Sequence, residues 1–143
     1  THCCISFKVK FFTELSESIR VLGNVDQLGN WNPSKAHELI TTPETYPDWI
    51  SPNPLGFPQV FQFCSFTNSI GTKIQFKFAV FRDGHLTRWE SLPNNANREY
   101  RARYNDVVLI CSEGVEEHRE DVRKKFVSSS SLESSKQISK INI

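Results

Sequence analysis

A chain of 143 residues with a formal net charge of +1 is the size of one domain plus a tail and can bury a core without disulfide or metal staples. The balance of 17 basic against 16 acidic residues provides no field of one sign, so neither nucleic acid nor a membrane surface is expected as a partner. No apolar run reaches membrane-spanning length, and the longest, Val107 to Cys111, has the length of a strand.

The four cysteines, Cys3, Cys4, Cys64 and Cys111, form no CxxC pair, and the residues from Thr1 show no basic segment followed by an apolar one. They predict neither a zinc site nor a disulfide framework, and they favour a reduced, cytoplasmic protein. His2, His37, His85 and His118 are scattered without metal-ligand spacing, so no metal and no cofactor is expected.

Ile5 to Phe11 alternates apolar and polar residues, the pattern of a half-buried strand. After a polar turn, Ser18 to Leu22 predicts a second strand that ends at Gly23-Asn24. Val25 to Pro33 reads as a loop or a single helical turn in which Gly29 supplies an unusual backbone angle. His37 to Ile40 suits a short strand. Between Thr41 and Pro58 five prolines exclude a central strand or a helix, although Trp49-Ile50 fits a short edge piece. Val60 to Phe66 alternates again.

Lys73 to Phe81 gives the clearest strand, with Ile74, Phe76, Phe78 and Val80 on one face and Lys73, Gln75, Lys77, Ala79 and Phe81 on the other. Asp83-Gly84 is a hairpin turn, from which Leu86 to Glu90 returns. Leu92 to Asn97 is a loop, and Arg98 to Arg103 and Asp106 to Cys111 make the last strands. Short strands cut by turn residues predict an all-β fold, an immunoglobulin-like antiparallel β-sandwich of about seven or eight strands over residues 1–111. Residues 112–143 are charged and Ser-rich and read as a disordered or partly helical tail, with one turn of helix near Val122.

Three tryptophans fall where a core does not call for them. Trp31 lies in a loop, Trp49 in the proline-rich segment and Trp89 at the end of a hairpin arm. One face of a glucopyranose ring is lined with C–H bonds, so a flat indole can cover it, while its edge-on hydroxyls need the donors of a lysine or the mixed donors and acceptors of an amide. Nucleobases can stack in a related way, so the aromatic residues alone do not choose the ligand.

The stretch from Val21 to Asn32, containing Leu28-Gly29-Asn30-Trp31, resembles the signature of the family 20 carbohydrate-binding modules, the starch-binding domains. So do Ile74 to Phe78, Arg88-Trp89-Glu90, Pro93-Asn94 and Asn97-Arg98-Glu99, in the right order. The resemblance runs from about Phe7 to Cys111. It implies a sandwich that binds α-1,4-linked glucan such as starch, glycogen or cyclic maltooligosaccharides, as a monomer and without catalysis.

By the same resemblance the main site comprises Trp31, Lys77, Trp89, Glu90 and an asparagine. That asparagine is Asn94 when aligned from one side and Asn97 from the other, with Asn94 preferred. A weaker second site would use Tyr46 and Trp49, because Leu15 stands where the family has a further aromatic ring. Glycoside hydrolysis would need two facing carboxylates, and Glu90 has no evident partner for that, so an enzyme is not expected. A protein-interaction module on the same scaffold is the alternative reading.

Overall fold

The computed structural model describes residues 2–58, 73–102 and 106–123. The strand expected at Val60 to Phe66, Cys64 with it, and the chain after residue 123 lie outside the described residues. Among the described residues ten strands run in the order β1 (His2–Lys10), β2 (Glu17–Gly23), β3 (His37–Glu38), β4 (Asp48–Ile50), β5 (Leu55–Pro58), β6 (Lys73–Arg82), β7 (His85–Trp89), β8 (Arg98–Arg101), β9 (Asp106–Ser112) and β10 (Val115–Arg123). They form two five-stranded sheets. In the first the order is β10-β9-β1-β4, and β5 pairs with the opening half of β1. In the second it is β3-β2-β6-β7, and β8 pairs with the opening half of β6. Neighbouring strands are antiparallel except β1 and β9, which run parallel from Ile5↔Val107 to Lys10↔Ser112.

The alternation read from the sequence decides which faces meet. Ile5, Phe7 and Val9 of β1 and Val107, Leu109 and Cys111 of β9 point inward from the first sheet. Ile19 and Val21 of β2 and Ile74, Phe76, Phe78 and Val80 of β6 point inward from the second, and all are buried. Phe7 sits 5.1 Å from Phe76 and 6.2 Å from Phe78, ring centre to ring centre, which ties the sheets together at mid-height. Asp83 and Gly84, with φ of 53° and 80°, make the predicted tight turn between β6 and β7.

Trp49 and Ile50 do form a short strand, β4, at the end of the first sheet. The proline-rich segment also supplies β5, which pairs with β1, consistent with the confinement of proline to strand ends and sheet edges.

The segment after Ser112 departs from the expectation of a tail. Val115–Arg123 is a strand hydrogen-bonded to β9, from Val115↔Ser112 to Arg123↔Asp106, and not a helical turn or a linker. Its composition hid it. Among the described residues it is an edge strand, which needs no apolar alternation, and charged side chains on such an edge discourage pairing with other chains. It is held by its ladder and by two contacts to β8, the Tyr100 hydroxyl donating to Glu120 at 2.8 Å and the Tyr100 ring against His118 at 6.1 Å.

Truncation after Ser112 is therefore expected to lower the melting temperature by on the order of 5–10 °C, the equivalent of roughly 2 kcal/mol in a domain of this size. Thermal unfolding of the full and shortened chains measures it, and an unchanged midpoint would show that β10 adds no stability.

Candidate functional site

The outer face of the second sheet carries the site. Along β6, Lys73, Gln75, Lys77, Ala79 and Phe81 point away from the core, as the alternation requires. Ala79 and Phe81 are nevertheless fully buried, because they join Leu22 in a second apolar cluster against which Trp31, Ala36 and Leu86 pack. Arg20 lies over the Phe81 ring at 4.7 Å. Lys77 follows this apolar floor, and a cleft of about 310 Å³ opens there, lined by Trp31, Lys77, Trp89 and Asn97.

Trp31 reaches the cleft through a strained loop. Asp26–Trp31 is a distorted 3-10 turn whose residues Gly29, Asn30 and Trp31 have φ of 79°, 50° and 64°. A left-handed tryptophan is uncommon and costs on the order of 1–3 kcal/mol, so the surroundings must impose it. Leu28 anchors the turn in the core, and the Gln27 side-chain amide donates to Gly56 O at 3.0 Å. Gly29 is obligatory: besides its positive φ, a Cβ there would come within 2.5 Å of Lys35 O. Gly23, where β2 ends, is equally constrained, since a Cβ would lie 2.5 Å from Gln75 O. These are two of the residues that carry the family resemblance, and close packing of the Trp31 loop explains both.

Trp89 reaches the cleft through a β-bulge. Phe81 pairs with Leu86 and Val80 with Arg88, so Thr87 is an extra residue in β7. Its hydroxyl donates to Val80 O at 3.0 Å. Without the bulge Trp89 would stand opposite Phe78 and face the core. With it, Trp89 pairs with Ala79 and faces outward, 39% exposed. The Trp31 and Trp89 ring centres are 6.1 Å apart and their planes meet at 64°. Two inclined apolar plates with an ammonium and an amide beside them make a surface for a ligand with apolar faces and polar edges.

Glu90 is placed differently from the expectation. Its side chain is not in the cleft; it is fully buried in an ion pair with Arg98. Arg98 donates from Nε to Glu90 Oε2 and from Nη2 to Oε1, both at 2.8 Å, and Phe78 N donates to Oε2 at 3.0 Å. With its oxygens engaged, the carboxylate has no access to a surface ligand. Burial opposes the charge on Arg98, but the hydrogen bonds and negative charge of Glu90 hold its pKa above the usual value. The pair steadies the cleft instead, because Glu90 follows Trp89 and Arg98 follows Asn97.

Of the two candidate asparagines, Asn97 lines the cleft, not Asn94. Asn94 and Asn95 adopt φ of 59° and 52° in the short 3-10 turn Pro93–Asn95, so their role there is in the backbone, a conformation asparagine tolerates well. The position of Asn97 next to the buried Arg98 is the signal that would have identified it.

The second group, at the other end of the molecule, is less open. Trp49 pairs with Val9, is only 6% exposed, and its indole N–H donates to Phe11 O at 3.1 Å. It is a core residue whose edge reaches a shallow hollow of about 390 Å³ that it shares with Leu15 and Tyr46. Tyr46 is 40% exposed, and its hydroxyl accepts from Thr13 N at 2.8 Å and donates to Thr13 O at 3.0 Å. Leu15, 92% exposed, puts an aliphatic chain at the position where the resemblance called for a ring.

Among the described cysteines, Cys4 and Cys111 are free thiols. Burial pushes the Cys111 thiol up to about 12, which keeps it protonated and inert. Burial likewise lowers the pKa of His37 and His118. No group of three or more His, Cys, Asp or Glu among the described residues could hold a metal ion.

A family model described as starch binding domain matches residues 2–108. Glucoamylase-1 of Schizophyllum commune is 31% identical over 92 residues, which make up 64% of this chain and 13% of that protein. Glucan 1,4-alpha-maltotetraohydrolase of Roseateles saccharophilus is 29% identical over 86 residues, 58% of this chain and 13% of that protein. The chain thus spans only a small part of the curated relatives it matches. The crystal structure of the family 20 CBM of the maltotetraose-forming amylase from Pseudomonas saccharophila STB07 superposes with a TM-score of 0.56 at 24% identity, over 76% of this chain and 98% of that one, and shows the shared sandwich fold.

The buried pair gives a test of how the cleft is held. Arg98→Met leaves the Glu90 carboxylate unpaired and is expected to cost about 3–5 kcal/mol, whereas Glu90→Leu with Arg98→Met should recover much of that loss. Urea unfolding of the three proteins measures it. Equal stability of the single variant and the parent would show that the pair does not secure the fold.

Proposed function

The chain belongs to the starch-binding domain family, the family 20 carbohydrate-binding modules, and from that membership we propose that it holds α-1,4-linked glucan between Trp31 and Trp89. The observation that carries this reading is the pair of indoles inclined at 64° with ring centres 6.1 Å apart. Successive glucose rings of an α-1,4 chain turn relative to one another, so a curved chain can lay one ring on each inclined plate. A flat β-glucan presents coplanar faces and meets only one of them. Lys77 donates to sugar hydroxyls and Asn97 both donates and accepts. Starch, glycogen and cyclic maltooligosaccharides share this curvature and form the substrate class.

The role is binding without catalysis. The matched segments of the relatives belong to a glucoamylase and a maltotetraose-forming hydrolase, each several times longer than this chain. That supports a module that keeps an attached glucan-active catalytic domain on its polysaccharide. Trp31, Lys77, Trp89 and Asn97 come from one chain, so a monomer suffices. At the far end, Tyr46 with the edge of Trp49 offers little stacking area, and any second glucan contact there is much weaker, since the cost of immobilising the ligand is unchanged.

Trp31→Ala and Trp89→Ala should each remove most of the binding to a cyclic α-glucan, costing about 2 kcal/mol or more, with the fold retained. Calorimetric titration should give one strong site per chain and no competition from cellulose oligomers. Normal binding by both variants, or equal affinity for cellulose oligomers, would refute the assignment. The ligand is uncharged, so affinity should hardly change between low and moderate salt, in contrast to the steep salt dependence of polyanion binding.

A further inference from the structure

A second cavity, of about 620 Å³, adjoins the tryptophan cleft and has no place in the site described so far. It is lined by Gln75, Asn97, Glu99, Glu116, Glu117 and His118, with Ala96. Asn97 lines both cavities, so the two lie side by side. Gln75 is two residues before Lys77 on β6 and lies on the same outer face, and Glu99 is its ladder partner on β8. The Gln75 amide donates to Glu99 at 3.1 Å, which orients both side chains. The floor of the second cavity is thus the same sheet face that carries the cleft.

Its far wall comes from β10, outside the span of the family match. The β9–β10 ladder breaks there. Val115 pairs with Ser112 and Arg119 with Ile110, so Glu116, Glu117 and His118 stand opposite Cys111 alone. A break of this kind lifts side chains out of the regular alternation and re-aims them. The three residues that line the cavity from β10 are the three lifted residues.

We propose that this cavity is an extension of the glucan site, in which Gln75, Glu99, Glu116 and Glu117 bind the hydroxyls of the sugar units that leave the Trp31–Trp89 plates past Asn97. This rests on the glucan reading of the cleft. Carboxylates and amides suit that task, because a carboxylate accepts from two neighbouring hydroxyls and an amide both donates and accepts. In the cleft only Lys77 and Asn97 offer polar groups, since its plates are apolar and Glu90 is buried. The two parts divide the work: stacking anchors a short segment, and the polar extension rewards a longer chain.

The test compares maltotriose, which the cleft alone can seat, with maltoheptaose, which is long enough to run into the extension, by calorimetry on the full chain. The parent should bind maltoheptaose about tenfold tighter than maltotriose, a gain of about 1.4 kcal/mol. Glu116→Ala with Glu117→Ala should abolish most of that gain and leave maltotriose binding intact, and Gln75→Ala should do the same through the opposite wall. Loss of affinity for both sugars in these variants, with an unchanged melting temperature, would mean that the residues serve the cleft itself and would overturn the extension. So would maltoheptaose binding equal to the parent's. A parent that binds neither sugar would overturn the glucan reading, whereas a parent that binds both equally well would overturn only the extension.

Discussion

The ion pair of Glu90 with Arg98 is the constraint on which the binding face depends. It lies fully inside the sandwich, where an isolated charge would be very costly. The pair is tolerable because each partner is met on several sides. Glu90 accepts from Arg98 twice and from Phe78 N, while Arg98 also donates to Ser112 O at 2.9 Å and lies over the Phe78 ring at 5.2 Å. Those contacts join β6, the end of β7, β8 and β9, so strands of both sheets are fixed to one point. Charge of this kind is an expensive way to gain stability. Its value here lies in geometry, because the residues preceding Glu90 and Arg98 are Trp89 and Asn97, which both line the cleft.

From that point the binding face is built by departures from regular strand geometry. Without its bulge the second sheet would turn Trp89 toward the core, opposite Phe78. The bulge at Thr87 turns Trp89 outward, the left-handed run at Gly29 to Trp31 folds a loop over Ala79 and Phe81, and the break in β10 lifts Glu116 to His118. Each departure is secured locally, by the Thr87 hydroxyl, by Leu28 in the core, and by the ladder that resumes at Arg119. The floor stays rigid because Phe81 and Ala79 are sealed from water beneath the loop. A preformed surface of this kind loses little freedom when a ligand arrives.

This division explains what could be read from the sequence. The core strands β1, β2, β6 and β9 were legible because half-burial imposes period-two alternation on their residues. Gly29 and the Asp83-Gly84 turn were legible because few residues accept their backbone angles. The grouping of Trp31, Lys77 and Trp89 around one cleft was legible through the family resemblance. Strand β10 was not, because an edge strand paired on one side can be charged along its whole length. Glu90 misled, since a carboxylate beside an exposed tryptophan looks like a ligand group until its partner Arg98 is known, and that pairing spans a loop. The choice between Asn94 and Asn97 turned on the same missing fact. Ladder breaks leave no composition signal at all, because the one extra residue in β7 and the two in β10 change register without changing residue type.

The three tryptophans show how far backbone geometry, and not residue type, decides exposure. Trp49 sits in a regular short strand opposite Val9, so the alternation of β4 sends its indole inward, where Phe11 O satisfies the N–H. Its surroundings are those of a core residue, and its removal would leave a cavity in the packed interior. Trp89 sits in a strand of similar length, but one extra residue reverses its face. Trp31 belongs to no strand and is held in a conformation that a bulky side chain rarely adopts. Burial of an aromatic ring is the default that favourable transfer from water provides. Keeping a large ring at the surface therefore requires a local irregularity that withstands this drive, and both exposed rings of the cleft stand at one.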